Sequence, residues 1–118
     1  MPISQSAPDP IDAFEALHAA LFKAIMASTD PDATETMRQA DEVVAQAITA
    51  LNQADFRERT DEFRRLSASV NAHLKSLNDL KARIDGIIAN ITLATRVASA
   101  IDGALAAASK VFPFSPIP

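Results

Sequence analysis

The chain contains no cysteine, tryptophan or tyrosine, and only two of its 118 residues are glycine. The absence of cysteine excludes a disulfide framework, a thiolate zinc site and a thiol nucleophile, and it leaves the cellular compartment undecided. No proline lies between residues 32 and 112, and the chain has no run of β-branched residues. Both of the features that usually mark strands and their turns are therefore missing. Alanine, the best helix former, occurs 24 times. We therefore predict an all-α fold in a single domain, residues 1–118.

The charge balance is acidic, with 11 Lys and Arg against 15 Asp and Glu, and a net charge of −4. A basic field for nucleic acid is absent, so we expect no nucleic-acid partner. We find no glycine-rich phosphate loop and no Ser-His-Asp set. Glu15 and His18 match the Glu-x-x-His spacing of di-iron bundles, but such sites need a second pair that this chain lacks. We expect no enzyme, no metal and no cofactor.

Two Asp-Pro pairs predict where the first two helices begin. Asp9-Pro10 opens a helix over residues 10–28, and Asp30-Pro31 opens one over 31–52, because Asp is a good N-cap and Pro is favoured at the first helical position. Leu17 and Phe22 widen the apolar face predicted for the first helix. Residues 1–8 form a lead-in without the pattern of a signal peptide, so the cytoplasm is our default expectation.

The third segment, residues 55–111, begins at a sequence resembling a capping box, with Glu58 three residues after Asp55. Its apolar residues recur in two series of sevens, one running from Phe63 and one from Leu66. From residue 63 to residue 108 these series hold fourteen positions, and His73 is the only one that is not apolar. This pattern is typical of a coiled-coil seam.

The unbroken seam favours one long helix over 55–111, after two shorter N-terminal helices, giving a helical bundle with a coiled-coil extension. At ~1.5 Å per residue such a helix is roughly 85 Å long. The alternative is a four-helix bundle with a break near residues 78–90, which ordinary helix lengths favour.

A long third helix would extend beyond the two shorter ones, and its distal apolar stripe would need a partner, since large apolar patches are rarely left exposed. We therefore predict a non-catalytic interaction or scaffolding protein that self-associates or binds partner helices. The predicted interface consists of Ile84, Ile87, Ile88, Ile91, Ala94, Val97, Ala98, Ile101 and Leu105.

An alternative function is action on membranes by a helical protein exported without a leader, suggested by the alanine-rich, weakly charged C-terminal third. We expect no spanning helix, because the longest uncharged run, residues 86–95, has only ten residues and a span needs about 20. Membrane-surface contact is also disfavoured, because the basic residues are offset by acidic ones.

His73 lies within A-H-L-K-S-L-N, residues 72–78, which partly resembles the H-x-x-K-G motif of histidine phosphotransfer domains. The resemblance implies a phosphoacceptor histidine in a helical bundle. The motif departs from the family because Lys75 comes two residues after His73 instead of three, and Ser76 replaces the glycine. The favoured interpretation is a polar seam residue that sets register.

Two further segments have candidate roles. The charge run at residues 57–65 predicts a solvated helix face with the ion pairs Asp55–Arg59, Asp61–Arg65 and Glu62–Arg65, and anion binding is the alternative.

The tail, residues 113–118, is proline-rich and contains Pro113-x-x-Pro116, a spacing found in segments that dock in aromatic grooves. The favoured interpretation is that it ends the last helix while Phe112 and Phe114 pack back on the bundle.

Overall fold

Four α-helices make up nearly all of the computed structural model, which describes residues 9–53 and 55–112. They are α1 (Pro10–Ala27), α2 (Pro31–Leu51), α3 (Thr60–Lys81) and α4 (Ile91–Val111), with short 3-10 turns at Phe56–Glu58 and Ile84–Gly86. Within these residues there is no strand, only one isolated antiparallel bridge between Ser28 and Ile88. The all-α prediction is confirmed for the described part of the chain, whereas the predicted lead-in and proline-rich tail lie outside it.

Both Asp-Pro helix starts are confirmed. The Asp9 carboxylate accepts a hydrogen bond from the Ile11 amide at 2.9 Å. The Asp30 carboxylate accepts from the amides of Asp32 and Ala33 at 2.9 and 3.4 Å. Each cap satisfies amide groups that have no partner within the helix, which is why the two helices begin at these residues.

The predicted start of the third helix at Asp55 is wrong. The carboxylate of Asp55 caps no amide, and the chain makes a 3-10 turn over Phe56–Glu58 before α3 begins at Thr60. The reason is visible in the aromatic contacts: Phe56 turns back on Phe63, with ring centroids 5.8 Å apart in an edge-on arrangement. This contact favours the tight turn over the predicted capping box.

The single long helix is also wrong, and the four-helix bundle is the correct alternative. The chain leaves the helix after Lys81, turns at Ile84–Gly86, and starts α4 at Ile91. The longest dimension of the protein is 42 Å, half the length expected for an unbroken helix over residues 55–111. The turn is stabilised by Asn90, whose side-chain oxygen accepts from the Leu93 amide at 2.9 Å and caps α4.

The apolar register explains why the seam seemed unbroken. The buried residues of α3 are Ser67, Val70, Leu74, Leu77 and Leu80; Val70 and Leu77 belong to the first series of sevens, and only Leu80, at the end of the helix, belongs to the second. In α4 the buried line includes Ala94, Val97, Ile101, Ala104, Ala108 and Val111, which keeps only the second series. The phase therefore changes at the turn, and extra apolar residues beside the seam conceal the change.

Each helix packs against two neighbours. α1 lies beside α2 and α4, while α3 lies beside α2 and α4 on the opposite side of the bundle. α1 and α4 are antiparallel, since Phe14 near the start of α1 meets Phe112 after α4, and Ser28 after α1 pairs with Ile88 before α4. The core between the helices is closed at one end by Phe14, Phe63 and Phe112, whose neighbouring ring centroids are 5.7 to 6.0 Å apart. The predicted packing of Phe112 on the bundle is confirmed by its complete burial, and Phe114 lies outside the described residues.

Candidate functional site: the outer face of helices α1 and α4

Most of the predicted interface residues lie inside the protein's own core. Six of the nine are buried, namely Ile84, Ile87, Ile88, Ala94, Val97 and Ile101. Ala98 and Leu105 are half-buried beside this core, and Ile91 alone is exposed, at 77% of its surface. The break after Lys81 accounts for this placement, because it folds α4 back onto α1 and α3, and the stripe expected to face another chain faces those helices.

The exposed apolar surface lies instead on α1. Phe22 and Met26 expose 61% and 74% of their surface, and they are four residues apart on one helical face. Of the two residues expected to widen the apolar face of the first helix, Leu17 is buried and Phe22 is exposed. α1 is apolar on nearly all sides, and a helix of this kind is usually buried on all sides. The sequence signal for this site is the composition of α1. Its polar residues are too few to cover one whole face of the helix, so apolar side chains remain at the surface.

A shallow groove of about 700 Å³ runs along α1 and α4 next to these two residues. Its walls consist mainly of side chains no larger than threonine: Ala13, Ala16, Ala19 and Ala20 on α1, and Thr92, Thr95, Ser99, Ala100 and Gly103 on α4. Ala19 is three residues before Phe22, so the protruding residues continue the α1 wall of the groove. Small side chains allow a further helix to approach both backbones closely.

The two ends of the groove have opposite charge. Asp12 lies at one end beside Gly103, while Lys23 and Arg96 lie at the other end, near Thr92. All three charged residues are exposed, and none takes part in an ion pair among the described residues. The groove therefore has an apolar floor, an acidic end and a basic end.

His18 joins α1 to α2 at the side of the bundle. Its Nδ1 donates to the Asp41 carboxylate at 2.6 Å, because a carboxylate can only accept. His18 is 47% exposed at the side chain and Asp41 19%. Glu15 is not part of this contact, and no group of three or more metal-ligating side chains occurs in the described ranges 9–53 and 55–112.

His73 is half-buried on α3, next to the buried line. Its Nδ1 donates to the Ser69 carbonyl oxygen one turn earlier, at 2.8 Å. That bond assigns a proton to Nδ1, so Nε2 is the ring nitrogen left for any other contact. Lys75 is exposed. The phosphoacceptor hypothesis stays a prediction.

The charge run at the start of α3 forms surface ion pairs, though not the full set predicted. The Asp55–Arg59 pair is present at 3.5 Å. The other carboxylates choose different partners: Asp61 pairs with Arg64 at 4.0 Å, and Glu62 pairs with Arg59 at 3.6 Å. All of these groups are about half exposed or more, so each pair adds at most about 1 kcal/mol.

A second groove of about 700 Å³ lies beside this run, between the end of α2 and the start of α3. It is lined by Gln46, Thr49, Gln53, Glu62 and Arg65 among others, with Phe56 and Leu66 as its large apolar residues. Its charged groups and two glutamines lie among large side chains, so it lacks the floor of small residues that the α1/α4 groove has.

α4 also has the length and composition of a membrane-crossing helix. Its most apolar stretch has a mean hydropathy of 1.3, and 33% of that stretch is buried in the bundle. Core helices of water-soluble proteins meet the same criterion, so the finding by itself is weak evidence. It differs from the expectation drawn from the ten-residue uncharged run, because the two charged residues in this stretch, Arg96 and Asp102, are too few to bring its mean hydropathy down.

Comparison of the chain with protein families, with curated proteins and with solved structures found no match.

Proposed function

We propose that this chain is a non-catalytic helical protein that acts by binding helices of another protein chain, either a partner or a second copy. The observation that carries the proposal is the exposure of Phe22 and Met26 on α1 next to a groove of small side chains. Exposed aromatic and methionine side chains are typical of contact surfaces between proteins, since they give up much apolar area to a partner.

The proposed class of function is the one expected from the sequence, but the proposed binding surface differs from the predicted one. The heptad stripe between Ile84 and Leu105 was expected to meet another chain, but its large side chains are buried in the core or packed against it, apart from Ile91. Within residues 9–53 and 55–112, no segment covers the groove on the outer α1/α4 face, and this groove would accommodate a helix in the way that amphipathic helices dock in apolar grooves.

The test is site-specific photo-cross-linking of the full chain in the cells that make it. A photoreactive phenylalanine analogue replaces Met26 in one variant and Glu42 in a control, since Glu42 is exposed on α2 and lies outside both grooves. We expect a discrete protein adduct from position 26 and none from position 42. No adduct from position 26 above the control level would reject the proposal. The adduct's mass separates a second 12.6 kDa chain from another protein.

A second candidate function is action on lipid bilayers, favoured by the hydropathy of α4. In this case the bundle opens and α4 enters the bilayer. Vesicles of mixed phosphatidylcholine and phosphatidylglycerol loaded with a fluorescent dye test it. Dye release that Ala104→Glu abolishes would support it, and the absence of release across pH 4 to 8 would reject it.

A further inference from the structure

The charge pattern of the α1/α4 groove identifies one occupant that fits it. In an antiparallel pair of identical chains related by a two-fold axis, every group at one end of the groove meets the groups at the other end. Asp12 of one chain would then lie opposite Lys23 and Arg96 of its partner, and the same contact would occur twice. A parallel pairing would place like charges together at both ends.

The size pattern fits the same arrangement. Large side chains protrude at the basic end of α1, where Phe22 and Met26 flank Lys23. Small side chains line the acidic end, where Ala13, Ala16 and Gly103 leave the groove open. A Cβ atom at Gly103 would have no neighbouring atom within 4 Å, so the space at this position is open. The two-fold operation brings the protruding end of one chain over the open end of the other.

Resting on the proposed function, we propose that the partner of this surface is a second copy of the chain, bound antiparallel across the α1/α4 groove. Opposite charges pair at both ends of the groove, and the apolar side chains of each α1 cover the small-residue floor of the other copy. The interface is isologous and closes as a dimer, so it does not extend into a filament.

Sedimentation equilibrium of the full chain over a range of concentrations tests this assembly. We expect a dimer. The double variant Phe22→Gln, Met26→Gln should be a helical monomer, because Gln keeps helix propensity while removing the apolar contact. Gly103→Leu should also dissociate the dimer while keeping the fold, since the added side chain fills the groove. Ile91→Gln, which removes a comparable exposed side chain outside the groove lining, should leave the dimer intact.

Charge reversal tests the antiparallel geometry. Asp12→Lys should weaken the dimer by roughly tenfold or more, because like charges then meet at both ends. The triple variant Asp12→Lys, Lys23→Asp, Arg96→Asp should restore the dimer. Asp32→Lys is the matched control, since Asp32 is an exposed residue in the first turn of α2, away from the groove, and its reversal has the same effect on a helix dipole.

Three results would overturn the inference: a monomer at every concentration, a dimer that Ile91→Gln dissociates and the α1 double variant does not, or a triple variant as weak as the single reversal. A monomer in solution together with a cross-link from position 26 to a different protein would reject the self-association and leave the proposed function standing. A monomer without any cross-link would reject both.

Discussion

Thr29 donates two hydrogen bonds to the carbonyl oxygen of Ile87, one from its amide at 3.0 Å and one from its hydroxyl at 3.2 Å. These residues lie in the two connections at the same end of the bundle, 58 positions apart in the chain. Next to them, Arg83 reaches the carboxylate of Asp30 at 3.3 Å. The α1–α2 connection and the α3–α4 connection are therefore tied together, and this tie holds the turn that divides the expected long helix.

Asp30 has two separable roles, and two substitutions distinguish them. Asp30→Ala removes both the cap of α2 and the partner of Arg83, so we expect a drop of a few degrees in the melting temperature. Asp30→Asn keeps an equally good cap and loses only the ion pair, so most of the stability should remain. Circular dichroism melts of both variants measure this. Equal losses in the two variants would contradict the dominance of the cap.

The acid sensitivity of Asp30 follows from its hydrogen bonds. The hydrogen bond from the Ala33 amide has the largest effect and lowers the pKa of the Asp30 carboxyl below its ordinary value; desolvation opposes it, and the Asp32 amide and Arg83 lower the pKa further. A carboxyl with a lower pKa in the folded state stabilises the fold above its unfolded pKa, and that contribution is lost as the pH falls through the folded value. The stability difference between wild type and Asp30→Asn should thus be constant at neutral pH and shrink below about pH 4. Denaturant melts at pH 7, 5 and 3 measure it, and a difference that grows toward pH 3 would contradict the assignment.

The aromatic end of the bundle is a stability determinant. Phe112 is fully buried between Phe14 and Phe63, so Phe112→Ala should lower the free energy of unfolding by about 3 to 5 kcal/mol. Phe22→Ala is the matched control, because Phe22 is 61% exposed, and we expect a change below about 0.5 kcal/mol in the monomer. Urea melts at low concentration compare the two. Similar losses at both positions would show that α1 or α4 packs differently from the structure.

Substitutions at two isoleucines of α4 distinguish the four-helix bundle from a helix with a continuous coiled-coil seam. Both Ile91 and Ile101 belong to the heptad series, yet Ile101 is fully buried and Ile91 is 77% exposed. Ile101→Ala should cost about 2 to 5 kcal/mol of stability. Ile91→Ala should cost less than about 0.5 kcal/mol. In a coiled coil that used the whole seam, the two substitutions would have comparable effects.

Ser67 is a buried polar residue whose hydroxyl has no hydrogen-bond partner among the described residues. Since an unpaired buried hydroxyl is unfavourable, Ser67→Ala should stabilise the protein by up to about 1 kcal/mol beyond the gain in helix propensity. Ser76→Ala is the comparison at an exposed position of the same helix, where the hydroxyl has a partner because it donates to the Ala72 carbonyl oxygen at 3.3 Å. If Ser67→Ala proves the less favourable of the two, the hydroxyl has a partner that the structure does not show.

Much of the fold was predictable because its signals are local. The all-α class follows from composition, and the starts of α1 and α2 follow from Asp9-Pro10 and Asp30-Pro31, where the cap and the helix are neighbours in sequence. The start of α3 was not predictable, because the Phe56–Phe63 contact outweighed a weak capping signal.

The candidate site was harder to predict than the fold. Both Phe22 and Met26 belong to a helix that is apolar nearly all round, and periodicity alone does not show which apolar side a neighbouring helix will cover. Ile87 and Ile101 had the pattern of a free seam for the same reason. Only their burial in the core removed them from the set of accessible residues.

The amino-acid sequence by itself determined that this protein is helical, acidic, free of cysteine chemistry and rich in apolar helix faces. The tertiary structure decided which of those faces became core and which stayed at the surface. The physical reason is that a heptad of apolar residues fixes which side of a helix is buried but not what buries it, since another segment of the same chain and a second chain offer the same apolar contact. Here the tie between Thr29 and Ile87 lies where the chain turns back to place α4 against α1, and the groove between these two helices is part of the surface of the bundle.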